Sequence, residues 1–513
     1  MFSRALKATG VAVAAVALLA GCSTGGSQAP SDASSDERAP LLKLGMVDSP
    51  GVAGFVAADM NMATESPYGQ AVYDSLLIAS PTNEIQPHLA TKWEYSDDKT
   101  VLTLTLRDDV KFTDDTAFNA DVAAQNLLRF RDGNSEIANQ LSSVAGATAV
   151  DDTTLQITLN APDPSLLLNL TRAGGYQESP ASFEDPAPVG TGPYTFDEDR
   201  TVPDSNYVFV ANDDYWAPEL QHYDEINMTV FKDSTALQNA LLGKQLNATI
   251  YMGFDGFDAI EAAGYTGHDY TQDWLGLLLF DRTGTVNPAL ADVRVRQAIN
   301  YAIDRDGMLK ALAGERGEPT TQVFGAGTPG FSEAFDEEYS YDPDEAKSLL
   351  EAAGFADGFE LTVPTTSFVP AAVFDLLTQQ LGEVGITVTL DERSPNDYVG
   401  DLLSGKYAVG SFTLEQPATA WDTYQLLAAP GAAWNATHQT PDEILAIGEK
   451  LQTGTEEEAA AAADELNQYF VENAWFNPWF RAVTTFYTDA ETEVTTQVGN
   501  TFPYLWNILP AGQ

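Results

Sequence analysis

The stretch DVRVRQAINYAIDRD, Asp292 to Asp306, narrows the possible folds more than any other. A carboxylate at Asp292 can accept from the free amides of a first helical turn. Val295, Ala298, Ile299, Ala302 and Ile303 then recur at helical spacing along one face. Arg294, Arg296, Asp304 and Arg305 lie off that face or at its edge, and Gly307 follows as a weak stop. The expectation is one amphipathic helix over 292–306, packed on a core by its apolar stripe. Periodicity alone says no more than that.

The flanking sequence supplies strands for such a helix to cover. Val101-Leu-Thr-Leu-Thr-Leu-Arg107 and Thr154-Leu-Gln-Ile-Thr-Leu159 alternate with period two, as half-buried strands do. Asp97-Asp98-Lys99 before the first reads as a hairpin turn. Trp274 to Phe280 is a continuous apolar run suited to a strand buried on both faces. Glu360–Val363 and Ile386–Leu390 read as strands joined by a crossover helix over Ala371–Leu381, which makes an α/β layer. Asp121 is expected to cap a helix running through Ala124 to Phe130. A late helix spans Glu456 to Phe470, with Thr455 and Glu458 at capping-box spacing.

The chain opens with a short basic region, Arg4 and Lys7, and an apolar run from Val11 to Ala20, too short to span a bilayer. The run ends in Leu19-Ala20-Gly21-Cys22, and Cys22 is the chain's 1 cysteine. Residues 23–40, rich in Ser, Gly, Ala, Pro and Asp, cannot bury a core and read as a tether. Beyond the tether the chain is long enough for two or three domain-sized units. With 25 Lys+Arg against 75 Asp+Glu the net charge is −50. That field disfavours nucleic acid and anionic lipid headgroups as partners. The charge is spread along the chain rather than blocked, as in a solubilising or salt-adapted surface.

Several phrases recur together. Leu19-Ala20-Gly21-Cys22 resembles a bacterial lipobox, in which the leader is cut before the cysteine and the sulfur is acylated. The string DVRVRQAINYAIDR resembles the helix that opens the second lobe of family 5 extracellular solute-binding proteins, the peptide/nickel/oligosaccharide-type receptors of ABC importers. Tyr73-Asp-Ser-Leu76, Gln86-Pro-His-Leu-Ala90 with Trp93, Val110-Lys-Phe-Thr-Asp-Asp115, Gly190-Thr-Gly-Pro-Tyr194, Asn212-Asp-Asp-Tyr-Trp216 and Tyr341-Asp-Pro-Asp-Glu-Ala-Lys-Ser-Leu-Leu350 match further phrases of that family in order. Two departures are Asp115 where a Gly is usual and Asn247 where an acid is usual. The resemblance covers roughly residues 41–510.

It implies an α/β, two-lobed, periplasmic-binding-protein-like fold of class II, with an enlarged first lobe. Lobe I would comprise 41–76, 185–275 and 484–513, with an inserted subdomain at 77–184; lobe II would be 276–483. Hinges would lie near Leu275–Asp281 and Phe480–Tyr487. It further implies a monomeric receptor with no cofactor, which captures a small solute and passes it to an ABC permease with ATPase subunits. Cys22 would hold it to the membrane, on the extracellular or periplasmic side. Oligopeptide is the first substrate class and oligosaccharide the second; a secreted hydrolase is a reading of another class.

Peptide-binding members carry an aspartate phrase, after a strand, that meets the peptide ammonium. That phrase is missing from Tyr407 to Leu427; Glu415 and Asp422 are the nearest acids, and are either ligand contacts or surface acids. Trp274, Phe412, Trp421 and Trp434 sit in or beside segments that line the cleft in relatives, and are ligand walls or core. Arg481 meets a ligand carboxylate or pairs with one of the many acids. No metal spacing links His88, His222, His268 and His438. No metal ligand is expected from them; the resemblance, through members that bind nickel by a chelator and a cleft His, singles out only His438. Gly325-Ala-Gly-Thr-Pro-Gly330 fits G-x-G-x-x-G formally but is read as a loop, because no helical pattern follows. Nothing resembles a nucleophile elbow on a strand–turn–helix.

Overall fold

The computed structural model describes residues 38–50, 54–61, 63–135, 137–183, 187–253, 256–367 and 369–512. The leader, Cys22 and the tether up to residue 37 lie outside the described residues.

Two long antiparallel strands, Thr266–Leu279 and Phe476–Thr488, organise the body. They pair from Thr266↔Thr488 to Leu278↔Phe476. At about 3.4 Å per residue such a pair spans roughly 45 Å, enough to serve two cores. At one end Ala248–Tyr251 pairs antiparallel with Phe476–Thr488. Leu42–Met46 follows it, parallel both to Ala248–Tyr251 and to Glu225–Val230. Asn206–Ala211 and Tyr194–Phe196 complete that side, antiparallel. At the other end Val409–Glu415 pairs with Thr266–Leu279, from Asp273↔Glu415 to Leu279↔Val409. Gly317–Pro319 adds to Phe476–Thr488. The result is a mixed α/β protein on one large sheet.

The apolar packing divides where the two long strands change neighbours. Leu42, Leu44, Phe209, Met228, Ile250 and Phe486 belong to a first core. Beyond residue 273 the even positions Trp274, Leu278 and Phe280 face one cluster. The odd positions Leu277 and Leu279 face another, with Val295, Ile299 and Trp479. Burial on both faces explains why the segment reads as an unbroken apolar run. A separate four-stranded antiparallel sheet, Ala90–Tyr95, Val101–Leu106, Thr154–Leu159 and Val144–Asp151, packs on the Ala120–Asp132 helix. That helix is capped by Asn119, whose side chain accepts from the Val122 amide, and not by the expected Asp121, which sits in its first turn. Phe359–Thr365 and Ile386–Glu392 form a parallel pair around the Ala371–Glu383 helix, as expected. The capping box at Thr455 and Glu458 is present.

The stretch 292–306 is not one helix. Asp292 caps Val293–Tyr301, and the chain then breaks at Ala302–Ile303. A second helix, Arg305–Ala313, starts at Asp304, whose carboxylate accepts from the Gly307 amide at 3.0 Å. Asp304 satisfies free amides better as a cap than as a mid-helix residue, so the local signal for a start defeats the continuous stripe. Gly307 is therefore inside the second helix rather than a stop. Arg296 and Arg305 are both buried. Arg305 donates to the carbonyls of Asn300, Thr320, Tyr339 and Pro478 and to Asn300 Oδ1, at 2.8–3.1 Å.

Candidate functional site

The sheet carries a register shift between Thr271 and Asp273, where Thr266–Leu279 passes from one core to the other. Such bulges re-aim side chains. Here Asp273 is set directly across from Glu415, the last residue of its strand. Like charges opposite one another destabilise a strand pair. Burial, with a smaller push from Glu415, raises the Asp273 carboxyl to about 6. Burial also raises Glu415, partly offset by the Arg172 guanidinium and reinforced by Asp422. Glu415 is exposed, and protein nearby still desolvates its carboxyl enough to raise it.

Asp422 lies in the first turn of the Ala420–Leu427 helix, capped by Thr419. Thr419 Oγ1 donates to Asp422 Oδ2 at 2.8 Å and lies 3.0 Å from Ser165 Oγ, which belongs to the other side of the junction. Asp163 approaches from that side too, accepting from Ser143 Oγ at 2.6 Å and from the Ser165 amide at 3.0 Å. Burial raises both Asp163 and Asp422. Arg172 is the cation that acts on Glu415 and Asp422. It donates to the Gly499 carbonyl at 3.3 Å, and its buried Nε has no partner. The arrangement holds one cation and four carboxylates, and burial raises each of the four carboxyls. It can receive a cationic or zwitterionic solute.

Residues 84–438 match the family described as bacterial extracellular solute-binding proteins, family 5. The chain belongs to that family. It is 28% identical over 359 residues to the glutathione-binding protein GsiB of Escherichia coli (strain K12), covering 64% of this chain and 67% of that protein. Three solved structures share the fold. HbpA2 from Haemophilus parasuis has a TM-score of 0.81 at 19% identity, over 92% of this chain and 99% of that one. DppA from Helicobacter pylori, in complex with the peptide STSA, has 0.73 at 20%, over 93% and 99%. NikA from Brucella suis, in complex with Fe(III)-EDTA, has 0.77 at 20%, over 91% and 99%. The chain is thus the substrate-binding receptor of an ABC importer.

In this family 5 receptor, Glu415 and Asp422 come together at the junction, and the aromatic candidates do not line it equally. Trp274 is fully buried, edge-on to Phe476 at 5.8 Å, so it is core. Trp421 stacks on Tyr424 at 5.5 Å, and Trp434 lies 4.7 Å from Phe412; both tryptophans are buried in the same cluster, and Phe412 is half-buried against it. Arg481 is fully buried and pairs with Asp336 at 2.7 Å while donating to the Phe324 carbonyl at 3.1 Å. It is tied into the core rather than offered to a ligand. His438 is exposed, and among the described residues no group of three His, Cys, Asp or Glu is placed to hold a metal ion. Gly325–Gly330 is a loop beside Gln416. No helix of the described residues is long and apolar enough to cross a membrane.

Sequence reasoning missed Asp163, Ser165, Arg172, Asp273 and Thr419. Asp273 carried a usable signal, an acid immediately before the apolar run. Arg172 carried none, since its neighbours form no pattern pointing to Glu415. A concavity of about 500 Å³ elsewhere was also missed. It opens beyond the carboxyl end of Leu42–Met46, where ligands of parallel α/β layers gather, and is lined by Asp48, Ser49, Phe55, Glu65, Asp204 and Tyr207.

Proposed function

We propose that the solute is a peptide whose free ammonium is received by Glu415 and Asp422. The observation that carries this reading is the charge imbalance at the junction, where Asp422 acts on Asp163, Asp273 faces Glu415, and Arg172 acts on Glu415 and Asp422 alone. A ligand ammonium favours the charged form of each carboxylate and so offsets the cost of burying them. Relatives named for glutathione and for a bound peptide support the same class. The oligosaccharide alternative leaned on tryptophan faces, and those of Trp274, Trp421 and Trp434 are packed within the core. No hydrolytic chemistry is part of this reading.

The receptor works by closing two lobes on the solute. Lobe I comprises 41–76, 185–275 and 484–513 with 77–184 inserted, and lobe II 276–483. The hinge lies in the two long strands, near 275–281 and 480–487. Binding shifts an open–closed equilibrium toward the closed form, which then docks on the permease. Acylation of Cys22, after removal of 1–21, holds the monomer to the outer face of the membrane on its tether. Native mass spectrometry of the Ser23–Gln513 protein as purified tests the class. Co-purifying masses spaced by amino-acid residues are expected; masses spaced by hexose units overturn the peptide reading.

A further inference from the structure

We infer that the turn between the Ala90–Tyr95 and Val101–Leu106 strands is a latch: Lys99 reaches from the four-stranded sheet to the carbonyl end of the Asp442–Thr453 helix and holds the two lobes together before any ligand arrives. This rests on the two-lobe reading above and adds what sets its resting balance.

The first ground is that the contact joins two bodies with separate cores. Leu102, Leu104, Leu155 and Ile157 anchor the sheet in the first core. Tyr424, Ile447, Leu451 and Leu466 pack together in another. Two neighbouring loops at one end of the sheet meet that second body. Their strands are adjacent, with Val101 opposite Thr158, and the Leu159 amide donates to the Thr100 carbonyl at 2.7 Å. From the first loop Lys99 Nζ donates to the Gly454 carbonyl at 2.7 Å. Gln452 Nε2 donates in the other direction, to the Pro162 carbonyl of the second loop, at 3.0 Å. The Ser165 and Thr419 hydroxyls, 3.0 Å apart, continue the same line. Lys99 is exposed, and Pro162, Gln452 and Gly454 are half-buried, so water can take the place of each partner at little cost. A contact made this way can open and close again.

The second ground is Lys99 itself. It stands at φ +54°, where glycine or asparagine fits with less strain. The turn around it is complete without its side chain. The Lys99 amide donates to the Ser96 carbonyl and the Ser96 amide to the Val101 carbonyl, both at 2.8 Å. Asp98 Oδ1 accepts from the Ser96 hydroxyl at 2.7 Å and from the Thr100 hydroxyl at 2.8 Å. Nothing in the turn calls for a lysine; its ammonium finds an acceptor only in the other body. Gly454 follows the last turn of its helix, where free carbonyls carry partial negative charge and suit an ammonium. Glu458, held below its ordinary range first by the Thr455 amide and hydroxyl, feels Lys99 as well.

The latch does not act unopposed. Asp163, raised mainly by burial, also feels Asp422 across the same line, and that like-charge pair works against the contact. Two small opposing effects leave a balance that a bound solute can tip. Part of the free energy of closure then comes from the protein, and a small solute need not bridge the whole cleft.

The test is a distance measured by pulsed electron spin resonance on the Ser23–Gln513 protein, stripped of co-purified solute. Cys22 is the chain's 1 cysteine, so spin labels at Glu94→Cys and Glu449→Cys, both exposed, are the only ones attached. A short distance is expected to dominate in otherwise wild-type protein, beside a minor long one. Lys99→Gly is expected to lower the ratio of short to long about two- to fivefold, the effect of one exposed charged contact. Lys99→Glu should lower it about tenfold, because repulsion from the helix end is added. Lys99→Arg should keep the short distance. Lys99→Gly should also raise the urea midpoint, since glycine relieves the turn, so that opening is not mistaken for unfolding. Two populations whose ratio ignores both Lys99→Gly and Lys99→Glu overturn the latch and leave the two lobes standing. A long distance alone in the wild-type background overturns the resting contact in the same way. One narrow short distance in every variant overturns the latch and the moving lobes together.

Discussion

Asp74 and Glu415 are both carboxylates set among protein atoms, and the protein treats them in opposite ways. Asp74 is buried and complete: it is bonded by His88 Nε2 at 3.0 Å, Tyr215 Oη at 2.8 Å and Trp216 Nε1 at 2.8 Å. Arg107 closes the cluster over the Trp216 ring at 4.4 Å. Glu415 accepts no hydrogen bond from the described residues and faces a second acid, Asp273, across the sheet. The arginines repeat the contrast. Arg305 makes five hydrogen bonds in the core, whereas Arg172 makes one at the junction. A buried charge with every partner supplied fixes the fold; an accessible one with partners missing is open to something that arrives later.

The largest effects should fall on the complete charges. Asp74→Ala strands the Tyr215 hydroxyl and the Trp216 N–H, and Arg305→Ala strands several carbonyls. Each should cost about 4 kcal/mol or more in urea unfolding, since every stranded buried group costs about 1–3 kcal/mol. A near-wild-type midpoint for either would erase the distinction. Glu415→Gln should do the reverse, leaving the midpoint in place or raising it slightly while ligand affinity falls about ten- to a hundredfold. Asp273→Asn sharpens the comparison through pH. Its folded carboxyl holds a proton up to about 6, while the unfolded chain releases it near the ordinary aspartate value, about 3.9. Between those values the folded state binds more protons, so stability falls as pH rises and levels off above the window. The Asn variant lacks that fall. It should be more stable than wild type by about 1–3 kcal/mol at pH 7.5 and equal to it near pH 3.5. Matching pH profiles would return Asp273 to ordinary solvent.

This contrast also separates what the sequence could tell from what it could not. The phrases Tyr73-Asp-Ser-Leu76, Gln86-Pro-His-Leu-Ala90 and Asn212-Asp-Asp-Tyr-Trp216 identify the family because their residues complete Asp74. They are about the fold, and local spacing preserves them. Strand alternation at Val101–Leu106 and the crossover at Ala371–Glu383 were legible for the same reason: each is decided by near neighbours. The break at Ala302–Ile303 was not, because two competing local signals, the apolar stripe and the Asp304 cap, differ by little. The proposed binding residues were legible only in part. Glu415 and Asp422 stand close in sequence, but Asp163 and Arg172 reach them across more than 240 positions, and no periodicity encodes that meeting. The tryptophans stayed open between ligand wall and core because an aromatic that fills a core and one that lines a cleft look alike in sequence.

The smallest effect should come from the segment that lies between the two sets of charges. Residues 497–501 are tied to one side by Asn83, which donates to the Val498 carbonyl at 3.0 Å, and by Arg172. Tyr270 Oη donates to the Thr501 carbonyl at 2.5 Å, and Gln272 to the Asn500 carbonyl, so the segment also grips the strand that passes between the cores. Gly499, at φ +72°, faces Ala418 of the other side. An added methyl meets both a left-handed backbone and a 3.0 Å approach, for a cost of about 1–2 kcal/mol. The backbone part burdens every folded form; the steric part burdens only the form in which Gly499 and Ala418 touch. Gly499→Ala should therefore weaken ligand binding severalfold beyond its effect on unliganded stability, and solution scattering should show less compaction at a given ligand concentration. An equal loss in stability and in binding would mean that the segment travels with Ala418 and takes no part in closure. Arg172 would then travel with it, and the distance between guanidinium and carboxylates would be fixed before the ligand arrives.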